Sequence, residues 1–84
     1  MYQVFIERKA VKFLEKVSEP DYSKIKLSIL KLASDPRPPG CKKLKGRPAY
    51  RIRQGDYRII YEIFDRVLKI NIITIGHRGD VYNS

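Results

Sequence analysis

The hydrophobic positions of the chain change period twice, and each change marks an element. Tyr2 to Glu7 carries β-branched and aromatic letters and reads as a short strand. Ala10, Phe13, Leu14 and Val17 then recur at i, i+3, i+4 and i+7, one face of an amphipathic helix. Ser18-Glu19-Pro20-Asp21 supplies a stop and a restart: serine can cap, proline fits a first helical turn, and an acid there suits the helix dipole. A second helix is predicted along the stripe Tyr22, Ile25, Ile29 and Leu32, with Leu27 and Leu30 beside it. Asp35-Pro36-Arg37-Pro38-Pro39-Gly40 ends it, because three prolines and a glycine cannot continue a helix.

From Tyr50 the period becomes two. Tyr50 to Gln54, the turn Gly55-Asp56 and Tyr57 to Phe64 read as a β-hairpin with a two-residue connection. Asp65-Arg66 is a weaker turn before a third isoleucine-rich strand, Val67 to Ile75, which Gly76 is expected to end ahead of a polar tail. The predicted order is β-α-α-β-β-β. That is an α+β domain in which a helical hairpin packs on a small, mostly antiparallel sheet.

Composition narrows the classes. Eighty-four residues, 43% hydrophobic with 11 isoleucines, suffice for one core and predict a single domain over 1–84. No apolar run approaches the roughly 20 residues of a bilayer helix, and no signal peptide or membrane partner is expected. The lone Cys41 forms no internal disulfide and is read as a bystander thiol, in keeping with a cytoplasmic location.

Charge is the more informative quantity. Eighteen Lys/Arg against nine Asp/Glu leave +9, the balance of a domain that meets a polyanion or an acidic partner. Between Lys42 and Arg58, seven cations face the single acid Asp56, so this stretch carries +6. Within it, alternation sends Arg51 and Arg53 to one face of a strand and Tyr50 and Ile52 to the other. Two residues along a strand, about 6.6–6.8 Å apart, their guanidinium groups repel unless an anion lies between them. Arg58 joins that face if the hairpin register allows it. Arginine offers a planar, bidentate donor fork suited to phosphate oxygens. Lys42, Lys43, Lys45 and Arg47, expected in a loop before the sheet, either track an RNA backbone or keep the loop solvated. Tyr57 and Tyr61 fall opposite Arg58 and are read as packing residues.

Three stretches together resemble a known family: Lys42-Lys43-Leu44-Lys45-Gly46, Tyr50 through Ile63, and Gly76-His77-Arg78-Gly79-Asp80-Val81-Tyr82. With the Asp35-Pro36-Arg37 turn, they look like the RelE branch of the RelE/ParE toxins over nearly the whole chain. The resemblance implies the toxin of a type II toxin–antitoxin pair that cleaves mRNA in the ribosomal A site, without metal or cofactor. The RNA 2′-hydroxyl attacks and leaves a 2′,3′-cyclic phosphate. By position, Arg51 and Arg53 match the family's paired basic residues, Arg58 its strand arginine, Arg78 its C-terminal arginine and Tyr82 its terminal tyrosine. The implied partners are mRNA, the ribosome and a RelB-like antitoxin encoded nearby.

This sequence departs from the family at the paired positions, which are often lysines and here are both arginine. Arginine effectively never deprotonates, so neither can act as a general base. His77 is left as the side chain that titrates near neutral pH, with proton transfer as its candidate role and a phosphate-binding or inert surface histidine as the bland one. Two other functions stay open: a ParE-like toxin that inhibits DNA gyrase without nuclease chemistry, and a non-enzymatic module that binds nucleic acid or an acidic protein.

Overall fold

The structure, a computed structural model, describes residues 1–77. A strand β1 (Gln3–Ile6) leads into helices α1 (Arg8–Leu14) and α2 (Asp21–Lys31). Four strands follow: β2 (Lys42–Lys43), β3 (Ala49–Gln54), β4 (Tyr57–Phe64) and β5 (Lys69–His77). They build one sheet in the order β1-β5-β4-β3-β2, with β1 parallel to β5 and every other pair antiparallel. The α+β architecture agrees with the hydrophobic periods, and the helices cover one face of the sheet.

Alternation explains which face. Ile52 of β3, Ile59 and Tyr61 of β4, and Ile70, Ile72 and Ile75 of β5 meet Ala10 and Leu14 of α1 and Ile25 and Ile29 of α2, all nearly solvent-free. Tyr50 stacks on Tyr61 with ring centroids 6.0 Å apart, and Tyr57 meets Phe13 edge-on at 6.1 Å. Tyr57 and Tyr61 are thus packing residues. At the hairpin tip Gly55 has φ +60°, a left-handed conformation that glycine adopts without cost.

Several boundaries depart from the sequence reading. Lys42 and Lys43, expected in a loop, form β2 and pair with Arg51 and Tyr50. Two lysines carry no strand propensity of their own; the exposed edge of β3 organises them. β5 begins at Lys69, because Val67 lies in a 3-10 turn and Leu68 takes a left-handed φ of 52°. It continues through Gly76 to His77, since both residues are held by the ladder to Arg58 and Tyr57. α1 ends at Leu14, so Val17 packs from the following turn. At the start of α2, Glu19 does the capping expected of Ser18: its carboxylate accepts from the Ser23 backbone N–H at 3.1 Å and the Ser23 hydroxyl at 2.8 Å. Leu27 and Leu30, placed beside the apolar stripe, are more than half exposed.

The turns opposite the hairpin tip are tied by one polar network. Asp65 accepts from the Tyr2 hydroxyl at 2.6 Å and pairs with Arg37 at 3.0 Å. The Arg37 guanidinium also lies 5.2 Å from the Tyr50 ring centre. Beneath it, the buried Tyr61 hydroxyl donates to the Pro36 carbonyl at 2.7 Å. Hydrogen bonds from Arg37 and Tyr2 hold the Asp65 carboxyl below its usual range. Burial, and then the neighbouring Cys41, push the Tyr61 phenol up. No helix among the described residues is long and apolar enough to cross a membrane.

Candidate nucleic-acid interface

The face of the sheet turned away from the helices carries the arginines. Hairpin register pairs Gln54 with Tyr57, Arg53 with Arg58, Ile52 with Ile59 and Arg51 with Ile60. Directly opposed residues of an antiparallel pair share a face, so Arg51, Arg53 and Arg58 leave the sheet on the same side. Arg58 in turn lies opposite Gly76 of β5, where the partner position has no side chain. The register that the sequence left open therefore groups all three.

Their environments differ. Arg51 is 2% exposed, Arg58 is half-buried and Arg53 is exposed. Arg53 and Arg58, with Gly55 and Asp56, line a polar notch of about 210 Å³ at the hairpin tip. Among the described residues Asp56 is the one acid on its wall. Lys42 is the cross-strand partner of Arg51, which extends the basic surface to β2; Lys43, Lys45 and Arg47 are exposed around it. A rigid strand pair that presents several fixed cations to one side is suited to bind a phosphodiester and to stabilise charge that builds on it.

His77 is not brought to that face. It pairs with Tyr57, and its ring meets the Tyr57 ring edge-on, centroids 5.1 Å apart. Tyr57 reaches Asp21 at the start of α2 through its hydroxyl, at 3.3 Å, so this group stands on the helix side of the sheet. The expectation that His77 works beside the arginines meets a simple obstacle: it lies one strand residue beyond Gly76, and one residue reverses the face. Arg78 and Tyr82 lie outside the described residues.

Sequence reasoning passed over two features. Arg37, noted only as part of a turn, holds Asp65 and Tyr50 together; the lone signal was its position between prolines. A second basic surface lies on α1 and the turn after it, where Arg8, Lys9, Lys12 and Lys16 line a shallow pocket with Phe13. Among the described residues no cluster of His, Cys, Asp and Glu could hold a metal ion.

Comparison with known proteins places this geometry. A family model described as the ParE toxin of the type II toxin–antitoxin system, parDE, matches residues 4–82. A RelE-like toxin protein of Escherichia coli is 28% identical over 86 residues, covering 98% of this chain and 90% of its own. The RelE–RelB complex of the archaeon Pyrococcus horikoshii contains a chain 30% identical, with a TM-score of 0.84 over 94% of this chain and 97% of that one. The isolated E. coli RelE toxin is 25% identical, with a TM-score of 0.80 over 99% of this chain and 93% of that one.

Proposed function

The chain belongs to the RelE/ParE superfamily of type II toxin–antitoxin toxins, and we propose that it acts there as a ribosome-dependent endoribonuclease. The observation that carries this reading is the direct pairing of Arg53 with Arg58, with Arg51 on the same face. The proposed reaction is cleavage of mRNA in the ribosomal A site. The 2′-oxygen loses its proton and bonds to phosphorus, the bond from phosphorus to the 5′-oxygen breaks, and that oxygen takes up a proton. The products carry a 2′,3′-cyclic phosphate and a 5′-hydroxyl.

The chain's part is to bind the phosphate and stabilise the charge of the pentacoordinate state. Arg53 and Arg58 grip the phosphate from the notch they share, and Arg51 adds a fixed positive charge in a poorly solvated place, where electrostatic stabilisation acts most strongly. Arg78 and Tyr82 complete the set by position in the family, the tyrosine as a base-stacking platform. Lys42, Lys43, Lys45 and Arg47 follow the backbone of mRNA or ribosomal RNA. His77, held against Tyr57, positions the end of β5 rather than touching the phosphate.

Relatives of this fold occur in complexes with RelB, and a net charge of +9 fits the same kind of partner. We assign this chain a RelB-like antitoxin, acidic or amphipathic, that orders on binding. The gyrase reading is favoured by one observation, the description of the matching family model.

The deciding experiment maps cuts by primer extension on mRNA incubated with stalled ribosomes and purified protein. Cuts confined to A-site codons, ending in cyclic phosphate and lost in Arg53→Ala/Arg58→Ala, are expected. Intact mRNA together with inhibited gyrase supercoiling would overturn the nuclease reading.

A further inference from the structure

A second cavity, of about 470 Å³, opens beside the arginine face at the edge of β3. Its origin is the brevity of β2. That strand pairs with Tyr50 and Arg51 and stops, so among the described residues no strand flanks Ile52 to Gln54 on that side. Lys31 at the end of α2, Leu32 just after it, and Pro38 and Pro39 of the following turn line the cavity. Ile52 supplies a buried floor. The volume lies within the range of small-ligand sites.

The lining has two chemical halves. Pro38 and Pro39, with the nearly buried Leu32 and Ile52, give an apolar part. Lys31, Lys42, Arg51 and Arg53 give four cations, and among the described residues no carboxylate lines the cavity. Ser28 adds a hydroxyl already aligned by its 2.8 Å bond to Gln54. A ligand that satisfies both halves presents flat, weakly polar faces and carries negative charge. A nucleotide does so: apolar side chains can sandwich a base while cations take its phosphate.

We propose that this cavity seats one nucleotide of the single-stranded RNA substrate, next to the nucleotide whose phosphate lies in the Arg53–Arg58 notch. The base packs on the prolines Pro38 and Pro39, above the buried Leu32 and Ile52. Its phosphate meets Lys31 and Lys42. Arg53 lines both the cavity and the notch, so the two sites are contiguous. A nucleotide is favoured over an acidic peptide by this continuity with the proposed phosphodiester site and by a volume, about 470 Å³, larger than one carboxylate side chain needs. As a subsite for codon preference, the inference rests on the nuclease reading above.

The test has two independent arms. In the first, the ¹⁵N-labelled full chain is titrated with each nucleoside 5′-monophosphate, with inorganic phosphate and with a poly-glutamate peptide. At least one nucleotide is expected to shift the amides of Ser28, Lys31 and Gly40, and to bind more tightly than inorganic phosphate. Lys31→Glu, and Pro39→Trp, which fills the opening, should each weaken it roughly tenfold or more. Shifts with phosphate alone, preference for the peptide, or binding unchanged in both variants would overturn the assignment. In the second arm, A-site cleavage by Pro39→Trp should continue with an altered distribution over codons; an unaltered distribution removes the subsite role. Nucleotide binding without any mRNA cleavage would instead remove the nuclease reading and leave the cavity's ligand standing.

Discussion

Arg53 and Arg58 are cross-strand partners on the β3–β4 hairpin, two like charges held on one face of the sheet. Like charges directly opposed across a ladder destabilise it, by roughly 0.2–1 kcal/mol. In the proposed phosphate site a bound anion would lie between the two guanidinium groups and turn that repulsion into attraction.

Arg53→Thr separates the two effects. The exposed arginine gives way to a good strand former, so the melting temperature should rise, and rise less in high salt, where the repulsion is already screened. Cleavage of ribosome-bound mRNA should fall by about 10²–10³-fold, the scale for removing one preorganised charge-stabilising donor. Thermal unfolding at two salt concentrations, beside the cleavage assay, checks both. A variant less stable than wild type, or equally active, contradicts this account.

Tyr61→Phe removes the hydroxyl that satisfies the Pro36 carbonyl and should cost about 1–3 kcal/mol at neutral pH. Because burial raises the folded-state pKa, the neutral phenol is the form the fold prefers. Its contribution is fully present below the ordinary phenol value of 10.0 and is lost as pH climbs beyond it. Denaturant unfolding should therefore show the gap between wild type and variant narrowing in alkali. A gap that widens there would falsify the burial argument.

Asp65→Asn tests the network between the turns. The wild-type carboxyl is held down by Arg37 and Tyr2, so its contribution is present above the ordinary carboxyl value of 3.8. It is lost as pH falls through the lower folded value. At pH 7 the variant should melt below wild type, and the two curves should converge in acid. A difference in melting temperature that stays constant with pH would show that Asp65 acts by something other than its charge.

Neighbours on α2 should respond very differently to truncation. Ile29 is 1% exposed, and Ile29→Ala should cost about 2–5 kcal/mol, a large share of the stability of so small a domain. Leu30 is 55% exposed, and Leu30→Ala should stay within about 0.5 kcal/mol. Equal losses from the two variants would mean that the outer face of α2 is covered in solution.

The elements were legible because each has a period that burial on one side demands. Tyr57 to Phe64 has the limits of β4, although Ile59, Ile60 and Tyr61 are buried in succession and the register with β5 shifts between Ile60 and Tyr61. The Ala10–Leu14 and Ile25–Ile29 spacings both mark helix faces that are buried. Leu27 and Leu30, read as lying beside the stripe, are exposed, as residues off the packed arc of a helix are. Lys42-Lys43 was illegible as a strand because its conformation is imposed by Arg51 and Tyr50 across the ladder. Of the candidate site, the basic run was plain. Glu19's carboxylate cap, the Arg37–Asp65 pair and the cavity at Lys31 and Pro39 were not, since each joins residues by proximity rather than by pattern.

By itself the sequence determined the helical hairpin on a sheet, the concentration of charge between Lys42 and Arg58, and the side of β3 on which Arg51 and Arg53 lie. Those follow from local periods and counts. Tertiary structure alone decided that Arg58 opposes Arg53, that β1 runs parallel to β5, and that His77 turns toward Tyr57 and away from the arginines. The reason is register. A slip of one residue between strands moves every side chain to the other face, and register is fixed by how the whole core closes.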